Sequence, residues 1–253
     1  MKLRLAALVL LASLVLGLTG LREKARSFET TVGSSVGAIF VPGENGQAQF
    51  HCSGTEIASS NGEGYFLTAR HCVADPETDK IARVMIVSFS DNQKGPFYTA
   101  HPVAISLTDD LALLELVNGA DVPTVAVKSE KWLKSGDPIF NVSFPLGTGK
   151  ERFHGEFMQS RFPSLPAEYL DKYTAWANAM PMNLTIAHGS SGSGVFSNRE
   201  HALIGVAVGT FQEGSYNIAI PGSRVIAFLT HLSDNTLAKY AESHPERAAS
   251  AWF

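Results

Sequence analysis

Three short stretches of the chain carry residue types that together can hydrolyse an amide or ester bond. They are LTARHCV around His71, DDLALLEL around Asp110 and GSSGSGVF around Ser191. A serine hydroxyl attacks a carbonyl carbon when a base removes its proton, an acidic side chain orients that base, and N–H donors stabilise the oxyanion. We therefore predict that Ser191 is a nucleophile, His71 its general base and Asp110 the group that orients His71.

The residues before His71 and after Asp110 are typical of β-strands. Residues 64–70 form a largely apolar run that ends in a turn at His71. Asp109 and Asp110 precede a second apolar run at residues 111–116. Adjacent aspartates at the start of a strand are often only turn residues. We expect Asp109 to be the exposed neighbour of Asp110.

The stretch around Ser191 is built from small residues, with glycine or serine at every position from 189 to 194. Small residues let the backbone turn tightly and bring amide donors close to a substrate carbonyl. Backbone N–H groups of such a turn can form an oxyanion hole. A flexible linker has a similar composition, but strand-like residues follow at once at 194–197 and 203–210.

In the chain order His71, Asp110, Ser191, the three stretches resemble the chymotrypsin/trypsin-like serine peptidases. Subtilisins and α/β-hydrolases order the same residue types differently. DDLALLEL also matches that family's Asp-[Ile/Leu]-Ala-Leu-Leu pattern, in which the aspartate faces the histidine. The resemblance implies a serine endopeptidase in which Ser191 is the nucleophile, His71 the general base and Asp110 its orienter. It also implies an oxyanion hole formed by the N–H groups of Gly189 and Ser191. The base and its orienter would lie on one β-barrel and the nucleophile on another.

Short runs of β-branched and aromatic residues recur along the chain, with Gly, Asn, Asp and Pro between them. A dozen such runs predict an all-β sandwich or a pair of barrels. Apolar residues at helical spacing in residues 222–232 predict one short helix. The predicted strands are residues 36–41, 47–57, 64–70, 84–89, 97–107, 111–116, 138–144, 153–159, 173–178, 194–197, 203–210 and 216–220.

With the family resemblance, this pattern predicts an all-β fold of two six-stranded antiparallel β-barrels, a chymotrypsin-like double barrel, with a short C-terminal helix. The first barrel would carry His71 and Asp110, and the second Ser191. The predicted organisation is a signal peptide or N-terminal anchor at 1–21, a linker at 22–32, a barrel at 33–118, an inter-barrel linker at 119–136, a barrel and helix at 137–232, and a polar tail at 233–253.

The start of the chain predicts export. Lys2 and Arg4 precede an uncharged apolar run at residues 5–21, as in a secretory leader. A membrane-spanning helix needs about 20 apolar residues, so the run favours a cleaved signal peptide and leaves a membrane tether as the alternative. We expect a secreted or periplasmic protein.

The chain has two cysteines, Cys52 and Cys72. In an exported protein such a pair is expected to form a disulfide, which would tether His71 through its neighbour. A zinc site that adds His51 and His71 is disfavoured, because adjacent residues of a strand point to opposite faces. The predicted chemistry requires no metal and no organic cofactor.

The charge distribution argues against a nucleic-acid partner. The formal net charge is −4, and no cluster of lysine and arginine is present that could neutralise phosphates. The expected partner is a protein or peptide substrate.

Several positions separate the chain from the digestive proteases of the family. Ser190 stands where those enzymes have an aspartate that pairs with a freed N-terminus, so activation by that ion pair is not available. Residues 136–147 resemble the Gly-x-Pro-Leu-Gly segment of HtrA (DegP-like) proteases, with Ser143 in place of its first glycine, and residues 217–221 resemble their Phe-Ala-Ile-Pro stretch. The residues after 232 are too few for the PDZ domain of HtrA proteins, so we expect a stand-alone protease domain.

GSSGSGVF also resembles the Gly-Asn-Ser-Gly-Ser-Pro-Val-Phe stretch of glutamyl endopeptidases. Their glutamate preference depends on a histidine that falls at Ala207 here, so we do not expect that preference. The resemblance places Thr185 at the base of the substrate pocket and Asn217 on a wall. Ala207, Val208 and Gly209 would form one edge. None of these residues is charged, which predicts a small or medium uncharged residue before the cut bond.

Three alternatives remain. An esterase of the α/β-hydrolase type needs Gly-x-Ser-x-Gly between a strand and a helix, but Ser193 replaces the last glycine and strands follow. A catalytically silent homologue that only binds usually lacks one of the three residues, whereas this chain keeps all three. A structural β-protein would contain the three stretches by chance.

Overall fold

The computed structural model describes residues 27–43, 47–60, 62–75, 80–106, 108–117, 119–161, 176, 178–211, 216–234 and 237. The predicted leader lies outside these residues, as does nearly all of the predicted tail. In the described part of the chain, no helix is long and apolar enough to span a membrane.

The first barrel is a closed antiparallel sheet in the order β1-β2-β3-β6-β5-β4. Its strands are β1 (Val36–Pro42), β2 (Ala48–Ser60), β3 (Glu63–Thr68), β4 (Met85–Ser88), β5 (Tyr98–Ile105) and β6 (Ala112–Leu116). Register shifts in β1, β2 and β5 let the sheet bend, because a bulge increases local curvature and twist. Phe66, Ile39 and Leu114 are fully buried in its core.

The second barrel is closed in the order β10-β11-β12-β9-β8-β7. Its strands are β7 (Pro138–Ser143), β8 (Glu151–Phe157), β9 (Met180–Asn183), β10 (Gly194–Ser197), β11 (Ala202–Phe211) and β12 (Tyr216–Pro221). Phe140, Phe144 and Phe196 join the buried apolar cluster of the first barrel. The predicted double barrel is therefore confirmed, and the two barrels share part of their core.

One strand was predicted in the wrong place. Instead of residues 173–178, the ninth strand is Met180–Asn183, and the described residues Trp176 and Asn178 are not in a strand. Pro181 hides the true strand, because proline cannot donate a ladder hydrogen bond and is usually confined to strand edges. It lies opposite Ile218 of β12.

A helix, α1, covers residues 27–35, where the sequence predicted a linker up to residue 32. Phe28 and Val32 are one helical turn apart and both face the body. The ring of Phe28 packs against Phe140 at 6.0 Å and stacks on His201 at 5.2 Å, while Val32 is fully buried. Two apolar positions are too few for a recognisable helical pattern, so the sequence did not reveal α1.

The predicted C-terminal helix, α2, spans Gly222–Thr230. Its first N–H groups lack partners within the helix, and negative charge is favourable there. The buried carboxylate of Glu130 accepts hydrogen bonds from the backbone N–H of Ser223 at 2.8 Å and from its hydroxyl at 2.9 Å. Glu130 therefore fixes where α2 begins and, with it, the position of Arg224.

Candidate active site

His71 and Asp110 come together because their strands are neighbours. Strand β3 ends at Thr68, which pairs with Ala112 near the start of β6, and a single helical turn at Arg70–Cys72 follows. His71 Nδ1 lies 2.6 Å from Asp110 Oδ2, and the backbone N–H of His71 donates to Asp110 Oδ1 at 2.9 Å. The carboxylate thus holds the proton on Nδ1 and leaves Nε2 to accept another.

Burial and charge act in opposite directions on this pair. Burial alone lowers the pKa of His71, but the charge of Asp110 and the hydrogen bond to it outweigh burial and place the pKa above its ordinary value. Burial alone raises the pKa of Asp110, but His71, together with a hydrogen bond from Trp176, brings it below the ordinary range. Near neutral pH the carboxylate is therefore charged and can stabilise an imidazolium.

A disulfide joins Cys52 to Cys72, as predicted, with a Cα–Cα distance of 5.9 Å. It ties the turn that carries His71 to strand β2. The zinc alternative was set aside on the argument that neighbouring side chains diverge, and that argument was wrong here. In the turn, the ligand atoms of Cys52, His71 and Cys72 lie within 4.8 Å of one another. The two sulfur atoms are bonded to each other, however, and offer no thiolate to a metal.

Asp109 was expected to be exposed, and that prediction was wrong. Asp109 is only 5% exposed. Its carboxylate accepts hydrogen bonds from Nε and Nη2 of Arg224 on α2, both at 2.9 Å. A two-pronged bond of this kind suits the planar guanidinium, and it links the Asp110 loop to the helix that packs on the second barrel.

Ser191 lies on a loop that docks against the first barrel. Its carbonyl accepts a hydrogen bond from the backbone N–H of Ser53 at 2.9 Å, and the Ser53 hydroxyl donates to the Gly189 carbonyl at 2.7 Å. Gly192, at φ +83°, lies against Thr68 and Ala69, where a side chain would have no room. The loop therefore meets the end of β3, three residues before His71.

The predicted oxyanion donors lie in a tight turn. Ser190 N–H donates to the Ala187 carbonyl at 2.9 Å and Gly189 has φ +87°, which together define a type II turn. The His188 carbonyl accepts from Leu146 N–H at 2.6 Å. Because C=O and N–H point oppositely across a trans peptide, the Gly189 N–H faces away from Leu146.

Within the described residues, the N–H groups of Gly189 and Ser191 have no hydrogen-bond acceptor. The Ser191 hydroxyl is likewise not hydrogen-bonded to His71 within that part of the chain, a contact that often tightens only when substrate binds. Two free N–H groups beside a hydroxyl can receive a carbonyl oxygen that becomes negatively charged.

Ser190 and Ser143, the two departures from the related motifs, contact each other. Ser143 Oγ donates to Ser190 Oγ at 3.0 Å, and both residues are fully buried. Ser190 Oγ also accepts from Ala187 N–H at 3.3 Å. Asn141 Nδ2 fixes the following residues through the Ser193 hydroxyl and the Gly194 carbonyl, both at 2.7 Å. Neutral hydroxyl and amide groups on β7 thus hold the loop by hydrogen bonds.

Of the predicted pocket residues, Ala207, Val208 and Gly209 lie on β11, Asn217 lies on β12, and Thr185 follows β9. Ala207 and Val208 are buried, Gly209 is half-buried and Thr185 is exposed. Asn217 Nδ2 donates to the carbonyl of Leu184 at 2.5 Å, which ties the Thr185 segment to β12. Ala207 exchanges backbone hydrogen bonds with the nucleophile loop, to Ser193 at 2.8 Å and from Gly192 at 2.7 Å.

Residues 52–206 match the family model of the trypsin-like peptidase domain, which is more than half of the chain. The chain belongs to this family. The match runs from the first cysteine of the disulfide, through His71, Asp110 and Ser191, to the strand that borders the predicted pocket.

This trypsin-like peptidase domain is also similar to HtrA proteases, as predicted. It is 24% identical over 181 residues to the probable periplasmic serine endoprotease DegP-like of Buchnera aphidicola subsp. Schizaphis graminum (strain Sg), over 70% of this chain and 34% of the relative. It therefore spans about a third of the length of that curated relative.

Two solved structures share the fold. The HtrA-type protease AlgW with tripeptide has a TM-score of 0.65 at 18% identity, over 81% of this chain and 62% of that chain. The serine endoprotease from Yersinia pestis has a TM-score of 0.62 at 18% identity, over 82% and 66%.

Four residues at the site were not found from the sequence. Ser53 binds the nucleophile loop, Arg224 binds Asp109, Leu146 binds His188, and the indole N–H of Trp176 donates to Asp110 Oδ2 at 3.0 Å. Each acts across a long separation in sequence, through a backbone group or a common side chain. Leu146 lies in the HtrA-like segment at residues 136–147, but that motif did not reveal its contact with His188, and the other three residues belong to none of the motifs.

Proposed function

We propose that the protein is a serine endopeptidase that cuts peptide bonds through an acyl-enzyme on Ser191. The observation that carries this proposal is the joint geometry of the site. The carboxylate of Asp110 is bonded twice to His71, and the loop with Ser191 is docked on the same barrel beside the turn that carries His71. Membership of the trypsin-like peptidase family supports it.

In the first half of the reaction, His71 Nε2 takes the proton of the Ser191 hydroxyl while Oγ attacks the carbonyl carbon of the scissile bond. The carbonyl oxygen becomes an oxyanion that accepts hydrogen bonds from the N–H groups of Gly189 and Ser191. The C–N bond then breaks as His71 gives its proton to the leaving amine. The ester on Ser191 remains.

In the second half, water attacks the ester carbonyl and gives a proton to His71 Nε2. The tetrahedral intermediate collapses, the C–O bond to Ser191 breaks, and the proton returns to Oγ. The negative charge of Asp110 stabilises the imidazolium in both halves. Two hydrogen bonds to the carboxylate, one from the ring and one from the backbone N–H of His71, keep the imidazole oriented.

We further propose a peptide or protein substrate with a small or medium uncharged residue before the cut bond, in a pocket of Thr185, Ala207, Val208, Gly209 and Asn217. One similar HtrA-type protease is described with a tripeptide. The protein would act after export, since a similar protein is named as periplasmic and a disulfide adjoins the general base.

A fluorophosphonate probe tests the proposal, because it labels only an activated serine. We expect the wild type to be labelled and Ser191→Ala not, with Ser34→Ala as a control at an exposed serine. Casein cleavage by the wild type then separates a peptidase from an esterase. A folded wild type that takes no label would contradict the proposal and favour a silent homologue that only binds.

A further inference from the structure

The carboxylate of Asp110 accepts three hydrogen bonds, and one of them comes from outside the triad. Oδ1 accepts from the backbone N–H of His71, whereas Oδ2 lies 2.6 Å from His71 Nδ1 and accepts from Trp176 Nε1 at 3.0 Å. Within the described residues, no other group donates to this carboxylate. The indole N–H is therefore a second donor to Oδ2, beside the imidazole.

The indole reaches Asp110 because of a glycine on β11. A Cβ atom on Gly209 would lie 2.7 Å from Cη2 of Trp176, closer than a real Cβ atom approaches, and a tight 3.1 Å from Cζ2. The bare backbone of Gly209 thus provides the space for the ring. Gly209 is also one of the residues predicted to border the substrate pocket, so one side chain contacts both the triad carboxylate and the pocket edge.

We propose that Trp176 is a positioning residue of the peptidase, whose indole N–H holds the Asp110 carboxylate in line with His71 while its ring forms an apolar wall beside Gly209. This inference rests on the proposed function. A donor to Oδ2 restrains rotation of the carboxylate about its side-chain bond, so the 2.6 Å contact with His71 stays aligned. A peptide that lies along β11 would press on the same ring.

The hydrogen bond can be tested without activity. The chain contains three tryptophans, so an ¹⁵N-labelled sample gives three indole N–H signals, and Trp176→Phe identifies the one from Trp176. We expect this signal to lie downfield of the others and to exchange slowly with solvent. It should move upfield in Asp110→Asn. A signal unchanged by Asp110→Asn would overturn the proposal.

The positioning role is tested by kinetics with a short and a long peptide substrate. Trp176→Phe keeps an aromatic ring and loses the N–H, so we expect kcat to fall about tenfold on both substrates with KM unchanged, since a bond to a charged group is lost. Trp176→Ala also removes the wall, and KM should rise for the long substrate only. Trp132→Phe, at a position 73% exposed, is the matched control.

The outcomes separate the two proposals. Wild-type kcat in Trp176→Phe, at an unchanged urea midpoint, would contradict the positioning role while leaving the peptidase assignment intact. A wild type that cleaves nothing would contradict the proposed function, and the indole signal would still show whether Trp176 holds Asp110.

Discussion

The carboxylate of Asp109 accepts hydrogen bonds from both Nε and Nη2 of Arg224, each at 2.9 Å. Asp109 directly precedes Asp110 on the first barrel, whereas Arg224 lies on α2, and 115 residues separate the two in sequence. The loop that carries the triad carboxylate is therefore held from both barrels. Arg224 thus contributes to the position of this loop through Asp109.

Arg224→Ala should destabilise the protein and lower its kcat. Removing the guanidinium leaves a carboxylate whose side chain is only 7% exposed without its partner. Because Arg224 itself is partly exposed, we expect a loss of about 2 kcal/mol in the free energy of unfolding, less than for a fully buried pair. Urea denaturation measures it. Arg199→Ala, which breaks a surface pair with Asp137, should change stability by less than about 0.5 kcal/mol; equal effects would refute the special role of Arg224.

Removing the disulfide should make the position of His71, the proposed general base, less well defined. Cys52 and Cys72 are 20 residues apart, so the double variant Cys52→Ala/Cys72→Ala should lose about 3 kcal/mol on a chain-entropy estimate. The value of kcat should also fall, because the turn at His71 loses its tether to β2. Thiol titration of the unreduced wild type, unfolded in denaturant, should find almost no free thiol. Finding two free thiols would contradict the presence of the Cys52–Cys72 disulfide.

Glu56 should make stability depend on pH. It is fully buried on β2, and neither carboxylate oxygen has a hydrogen-bond partner among the described residues. Burial raises its pKa from 4.5 to about 7. Between these pH values the folded protein holds a proton that the unfolded chain has released, so the free energy of unfolding falls as pH rises, by about 3 kcal/mol in total.

Glu56→Gln removes that titration. The variant should therefore be more stable than the wild type at pH 8 and lose this advantage at pH 4, as measured by urea denaturation at both values. Glu63→Gln, at an exposed position on β3, is the control. If the free energies of unfolding of Glu56→Gln and of the wild type change in parallel across the whole pH range, the Glu56 carboxyl is not the source of the pH dependence.

The pH profile of activity should follow His71. Catalysis needs the neutral imidazole, and although burial lowers the pKa of His71, Asp110 raises it to a net value above 6.5. We expect kcat/KM to rise with pH along a limb whose midpoint lies above 6.5. Asp110→Asn should lower the midpoint and reduce kcat by orders of magnitude. An unchanged midpoint in Asp110→Asn would show that another group controls the limb.

Introducing at position 190 the aspartate of the digestive proteases should destabilise this protein. Ser190 is fully buried between the Ser143 hydroxyl and the Ala187 N–H, and these neutral groups cannot balance a carboxylate. Ser190→Asp should lose about 3 kcal/mol of stability or fail to fold, whereas Ser190→Ala should lose about 1 kcal/mol. Thermal unfolding compares them. Equal stability of the two variants would contradict this account.

Much of the fold could be predicted because most strands are marked by short, continuous runs of characteristic residues. Eleven of the twelve observed strands fall on runs of β-branched and aromatic residues, and Met180–Asn183 escaped because Pro181 breaks the pattern. The helix at residues 27–35 escaped because it has few apolar positions. The order of His71, Asp110 and Ser191 pointed to a pair of barrels because that order belongs to one protease architecture.

The surroundings of the site were less predictable, since they depend on contacts between distant segments. Nothing near Asp109 in sequence indicates Arg224, and an aspartate beside another aspartate at a strand start is usually exposed. Trp176 and Leu146 likewise act through groups whose partners the chain order does not reveal. Sequence motifs predicted which groups would react, whereas the residues that contact them became visible only in three dimensions.

The loop with Ser191 is held by hydroxyl and backbone groups of the first barrel. Ser53 binds Gly189 and Ser191, and Thr55 Oγ1 accepts from Gly194 N–H at 3.1 Å. A chain in which only one barrel has folded lacks this partner surface, so the contacts that hold Ser191 and the turn at Gly189 are not yet made. In the proposed peptidase, assembly of the active site would therefore be coupled to the docking of the two barrels.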